Sequence, residues 1–262
     1  EIPKRDWSSD VCSSDLDAAG IMTGAALGAV ALGALFGSVV SGLAGFAFGL
    51  VTLGLWLHTI EPTLAAPLVV SCSLVVQIMN VRALWHAIRW DRVWPFVAAG
   101  LIGVPVGSFL LAHIDAVLFR RILGGFLLTY SAAMLLMRPM TPAARAGRLA
   151  DAVVGLLGGV MGGLSGLSGA IPTLWCGLRG WTKDEQRAVY QPFNIAMHLG
   201  TLAAYAKDGI LDQDFAVSFL VALPALGLGG WLGIRLYRKV DETRFRKIVL
   251  WLLLISGAML LV

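Results

Sequence analysis

Residues 155–178, GLLGGVMGGLSGLSGAIPTLWCGL, decide how this chain is read. The stretch is apolar enough to lie in a bilayer, yet Gly155, Gly158, Gly159, Gly162, Gly163, Gly166, Gly169 and Gly177 crowd into it, with Ser165, Ser168 and Pro172 between them. Each glycine costs a helix interior roughly 1 kcal/mol relative to alanine. Unpaired backbone groups are costly in hydrocarbon, so a broken helix survives there only where protein buries it or a cavity takes it in. The stretch therefore predicts either a close-packed helix seam or an interrupted helix around a site. A second copy, GSVVSGLAGFAFGLVTLGL, occupies 37–55. Gly37, Gly42, Leu43, Gly45 and Thr52 recur as Gly158, Gly163, Leu164, Gly166 and Thr173, each 121 residues further on.

Composition agrees with a membrane setting. Of 262 residues 58% are hydrophobic and only 14% charged, where a soluble domain carries about 25% charged residues. The apolar runs do not alternate as barrel strands would, so the class is an all-α, polytopic integral membrane protein. The net charge of +4 comes from Lys and Arg at the edges of apolar runs, as membrane anchoring requires. No charged face is long enough for nucleic acid. Cys12, Cys72 and Cys176 form no CxxC pair and no zinc spacing; Cys72 and Cys176 read as small apolar filler. No cofactor or metal signature appears, and no nucleophile–base arrangement points to an enzyme.

Outward from the glycine stretch, the chain divides into about eight transmembrane segments. Residues 1–17 contain SSD twice and read as a non-native or disordered leader. The apolar run 21–57 is too long for one span of about 20 residues, and its glycines and Ser41 mark a break. Spans follow at 64–84, 93–111 and 122–137, with Glu61 and Pro62 suited to a helix start. A Pro- and Arg-rich linker covers 138–151. After it come the glycine segment, a helix opened by the capping-box pair Thr182 and Glu185, and spans at 215–232 and 248–262. Asp115, Phe119, Arg120 and Ile122 recur as Asp241, Phe245, Arg246 and Ile248, and Gly103 and Gly107 as Gly229 and Gly233, each 126 residues on. Two homologous four-segment halves, 18–137 and 152–262, with Gly-rich broken helices, are predicted. Span parity, and hence parallel or inverted halves, stays open.

The paired motifs GLAGFAFGLVTL (42–53) and GLSGLSGAIPTL (163–174), the loops ending in Asp91 and Asp212, the GxxxG pairs and the basic turn before each last span resemble the sulfite exporter TauE/SafE family of membrane transporters. The resemblance runs over 20–262. It implies export of sulfite or a small organosulfonate across the bacterial cytoplasmic membrane by a multi-pass protein. Ser168, Gly169 and Ala170 stand where members often carry three glycines, and Val51 stands opposite Pro172.

Such carriers bind substrate at a repeat interface, on discontinuous helices whose N-termini face anions. Exposed N–H groups at a helix start accept an oxyanion without a buried Lys or Arg, and no Lys or Arg is expected inside a span. The candidate binding residues are Gly42, Gly45, Gly163, Ser165, Gly166, Ser168 and Gly169; helix packing explains the same glycines. Gln77 and Asn80 share one helix face, as do Gln191, Asn194 and His198, and Gln77 and His198 are equivalent at 121 residues. Each polar face reads as substrate contact or as interhelical hydrogen bonding. For proton coupling, His198 is the internal candidate. Asp91, Asp212, Asp115 and Asp241 read as caps or partners of nearby Arg, and the tryptophans as interfacial belts. The partners are a small anion and the lipid bilayer; glycine-rich faces would suit a homodimer or the folding of one chain. A non-transporting scaffold and an anion channel are the alternatives.

Overall fold

The computed structural model describes residues 24–56, 59–83, 85–111, 146–165, 168–207 and 213–261, with 121, 124–125, 128–129, 131–132 and 135–136. The leader thus lies outside the described residues. The helices are α1 (Gly24–Ala44), α2 (Phe48–Trp56), α3 (Pro62–Ala83), α4 (Trp90–Leu111), α5 (Arg148–Ser165), α6 (Ala170–Leu178), α7 (Lys183–Lys207), α8 (Gln213–Tyr237) and α9 (Glu242–Leu261). The described positions between 121 and 136 are helical too, and no strand occurs among the described residues. Among the described residues three helices are long and apolar enough to cross a membrane: Gly24–Ala44, Leu64–Arg82 and Gln213–Tyr237. Helix α5 begins at Arg148, within the stretch 138–151 read as a linker.

Local chemistry sets the ends. Pro62 opens α3, and Glu61 O accepts from Leu64 and Ala65 N–H; proline suits a first turn because its missing N–H is not needed there. At α7 the capping box forms as expected: Thr182 N–H donates to Glu185 Oε2 at 3.0 Å, and Glu185 N–H to Thr182 Oγ1 at 3.3 Å. Asp241 caps α9 through Arg244 N–H at 2.7 Å, and Asp91 pairs with Arg89 at 3.2 Å.

The first break falls at Gly45, Phe46 and Ala47, after Gly37 and Gly42 rather than at them. Gly45 has φ +87°, a left-handed geometry that costs an L side chain about 1–2 kcal/mol. The glycine stretch 155–178 likewise resolves into the end of α5, a break and α6, not one segment. Both breaks turn the chain back on itself. Trp56 Nε1 returns to Ala29 O at 3.3 Å, and Trp175 Nε1 to Asp151 Oδ1 at 2.7 Å. Each nine-residue helix therefore lies antiparallel along the long helix before it. Trp85, Trp90, Trp94, Trp231 and Trp251 are exposed, as a belt requires, but Trp56 is fully buried because it closes the first hairpin.

Two glycine seams join distant helices. Along α1 and α8, a Cβ on Gly42 would stand 2.8 Å from Gly233 Cα, and one on Gly229 would stand 2.0 Å from Ser38 Oγ. Along α4 and α5, Gly155 meets Phe96, and Gly159 meets Gly100 and Gly103. In both seams residue numbers rise together, so the paired helices run the same way. The glycine faces that would suit a homodimer are thus occupied within one chain. Between α3 and α7 the order reverses: Ser73 meets His198, whereas Gln77 meets the Gly45 turn that packs on Tyr190. Phe96 and Phe193, then Gly100 and Met197, set α4 parallel to α7. Helices α1, α3 and α8 therefore point one way, and α4, α5 and α7 the other.

Candidate functional site

A helix leaves its last four carbonyls without intrahelical partners. At the end of α1 these groups are buried, and side chains from α3 and α7 satisfy them one by one. Asn80 Nδ2 donates to Ser41 O at 3.2 Å and Gln77 Nε2 to Gly45 O at 2.9 Å. Arg187 Nη1 donates to Gly42 O at 2.9 Å and Leu43 O at 3.3 Å, and Tyr190 Oη to Ala44 O at 2.7 Å. Gly45 also brings its N–H to Ser41 O at 2.6 Å. Four side chains thus meet the carbonyls of the first break.

Arg187 lies within a helix, α7, where its sequence context suggests a loop. It is 1% exposed, in the second turn of α7. Its Nε and Nη2 face the Gln191 amide, whose oxygen accepts from them at 2.9 and 2.7 Å in the orientation that satisfies both groups. The guanidinium carbon lies 4.0 Å from the centre of the Tyr237 ring, a cation–π distance. Tyr237 in turn donates its hydroxyl to Asp184. Arg187 escaped the sequence reading because it directly follows a capping box and looks like a loop cation. The signal was its spacing: Arg187, Gln191, Asn194 and His198 fall on one helical face.

The second break sits beside the first. A Cβ on Gly169 would lie 3.0 Å from Phe46 Cβ and 2.8 Å from Asn194 Nδ2, so no larger residue fits between the two turns. Ser168 Oγ donates to Asn194 Oδ1 at 3.1 Å. Gly169 stands at the start of α6 without a side-chain cap. On the same face of α7, His198 Nε2 lies 3.0 Å from Ser73 Oγ.

Of the residues singled out in the sequence, Gln77, Asn80, Gln191, Asn194, His198, Gly45, Ser168 and Gly169 gather around these two turns and are buried. Gly42 is also buried, but it works in the α1–α8 seam. Gly163 is half-buried within α5, Ser165 is the last residue of α5, and Gly166 lies outside the described residues. Four buried oxygens near the turns have no hydrogen-bond partner: Ser41 Oγ, Gln77 Oε1, Asn80 Oδ1 and Thr173 Oγ1. Such atoms are costly unless water or a ligand meets them. The two hydroxyls among them can donate as well as accept. The arrangement offers two helix starts, at α2 and α6, opening from adjacent turns in a polar, buried setting.

The family model described as "Sulfite exporter TauE/SafE" matches residues 29–260. No curated protein and no solved structure matches the chain.

Proposed function

The chain belongs to the sulfite exporter TauE/SafE family, and from that premise we propose that it exports sulfite or a small organosulfonate across the bacterial cytoplasmic membrane. The family implies an integral membrane transporter of sulfite- and sulfonate-type anions, not an enzyme. The observation that carries the finer reading is the meeting of two helix breaks, Phe46 against Gly169. Helix starts at α2 and α6 open from those breaks, and their free N–H groups and dipoles favour an oxyanion. Glycine at 45, 163 and 169 lets backbone come close to a small ligand. Ser168, Gln77, Asn80, Asn194 and His198 supply the polar surround, and the Gln191 amide is taken up by Arg187.

The same reading includes two halves, 18–137 and 152–262, joined by 138–151, with about eight crossings in all. The halves are inverted. What supports this is that α1 and α3 run opposite to α5 and α7, their partners at 121 residues. Inverted repeats with broken helices at their interface are a recurring carrier design.

The test is counterflow of radiolabelled sulfite and methanesulfonate in proteoliposomes. Saturable exchange, lost when Gly166→Leu and Ser168→Ala are combined in inserted, folded protein, upholds the reading. Unsaturable flux would make the protein a channel. The absence of flux for either anion would favour a scaffold, a reading with one observation of its own: Gln77 and Asn194 bond to the two turns, at Gly45 and Ser168, and His198 meets Ser73 across helices.

A further inference from the structure

Burying a guanidinium without a carboxylate is expensive, and a packed apolar residue of similar volume is often the more stable choice. Among the described residues Arg187 forms no ion pair; the described pairs are Arg89–Asp91, Arg92–Glu185, Arg179–Asp151 and Arg244–Asp241. The acid facing it is Asp184, which is exposed and reaches it only through the Tyr237 hydroxyl. Its hydrogen bonds are met by neutral groups: Gly42 O, Leu43 O and the Gln191 amide. The carbonyl end of α1 contributes a partial negative charge of about half an electron. A net positive charge therefore stays buried beside the first break.

Its position ties that charge to the paired breaks. Tyr190, one turn along α7 from Arg187, packs its ring on Gly45 and on Phe46, at 6.3 Å between ring centres. Phe46 abuts Gly169. We infer that Arg187 supplies the fixed positive charge that makes the site at these breaks bind anions in preference to neutral molecules of the same shape. This rests on the transport reading above for the site, and it adds a residue and a source of selectivity. Because its donors are engaged, Arg187 acts through its field. It is a positioning residue rather than a direct ligand.

Gln191 offers a clean test. Gln191→Glu keeps the shape and the two acceptor contacts but sets a carboxylate on the guanidinium. If Arg187 only pins the helix end, this change leaves substrate affinity alone and strengthens the fold. If its charge serves the anion, Gln191→Glu folds yet raises the half-saturating concentration of sulfite and methanesulfonate at least about tenfold, since an ion pair cancels most of the field. Melting temperature in detergent, with sulfite, methanesulfonate or neutral dimethyl sulfone added, gives a second readout that needs no transport. Sulfite raises the wild-type melting temperature, and the sulfone does not; Gln191→Glu loses that shift. Wild-type half-saturation and an unchanged sulfite shift in folded Gln191→Glu would overturn the inference while leaving export intact. If no flux is seen even in wild type, the export reading fails, and the sulfite shift alone decides on Arg187. Should Gln191→Glu not fold, Arg187→Lys and Arg187→Gln decide: the lysine variant keeps the shift and the glutamine variant loses it, and equal behaviour overturns the inference.

Discussion

Ser73 Oγ stands 3.0 Å from His198 Nε2, across two helices that run in opposite directions. Ser73 corresponds to Asn194 at 121 residues, and Gln77 to His198. The α3–α7 crossing is thus the point about which both polar faces are arranged. Among the described residues that face carries Arg187, Tyr190 and His198 as titratable side chains, and of these only an imidazole ordinarily titrates near neutral pH, so we expect His198 to carry any proton coupling. His198→Gln restores the residue type of its counterpart and keeps a hydrogen-bonding group toward Ser73. Sulfite counterflow should persist in this variant, while stimulation by an imposed pH gradient disappears. Undiminished stimulation would remove His198 from coupling.

The seams should respond to a single methyl group according to what it meets. Gly42→Ala drives a Cβ to 2.8 Å from Gly233 Cα, a backbone atom that cannot swing aside. Overpacking of that kind costs about 1–3 kcal/mol. Gly227, on α8 itself, has nothing within 4 Å of its added Cβ, and alanine there should gain up to about 1 kcal/mol from helix propensity. Melting in detergent should fall for the first variant and hold or rise for the second. Equal melting points would mean that the seam is looser than described.

Gly45 combines a left-handed backbone with a tight neighbour, since its Cβ would lie 2.7 Å from Tyr190 Cε2. Gly45→Ala should insert in the membrane but lose sulfite exchange, because the first break must open differently. Tyr190→Phe keeps the ring and leaves Ala44 O without its donor, at a cost of about 1–3 kcal/mol. Its melting point should drop while its half-saturation for sulfite moves little.

The second hairpin is closed by Trp175 on Asp151, which is 3% exposed. Trp175→Phe removes the indole donor and leaves that carboxylate with Arg179 at 3.8 Å. An unmet buried acceptor costs about 1–3 kcal/mol, more when charged. Asp151→Asn combined with Trp175→Phe should recover part of the loss in thermal melting. If the double variant is no better than the single one, the carboxylate charge is not the source of the penalty.

Much of this was legible in the sequence, and the reasons are local. The capping box at Thr182, the helix start at Pro62 and the glycine copies are short-range signals, and they fold as read. The breaks were found, with Gly45 of the first copy in the turn itself, whereas Gly42 serves the α1–α8 seam and Gly37 packs on Thr52 and Phe48 of the returning α2. Nothing in spacing separates the two uses of glycine; the distinction needs the partner helix. Direction was hidden for a related reason. Span parity depends on whether 48–56 and 170–178 return along their predecessors, which the Trp56–Ala29 and Trp175–Asp151 contacts establish. Arg187 was missed because charge suggested a loop, while burial depends on α1 and α8 arriving from elsewhere.

The α1–α8 seam has a consequence for how the chain is made. Ser38 lies 3.4 Å from Ala225 O, 187 residues away. While it is synthesised, α1 must wait in the lipid with its glycine-lined flank bare until α8 is threaded into the bilayer. Loop closure over that length is the slow, entropically costly part of reaching the native state. Assembly therefore proceeds from the middle of the sequence outward: the α4–α5 seam can zip early, and the α1–α8 seam acts as the final latch. A ribosome stalled before α8 would leave an inserted half-product for quality-control proteases to recognise.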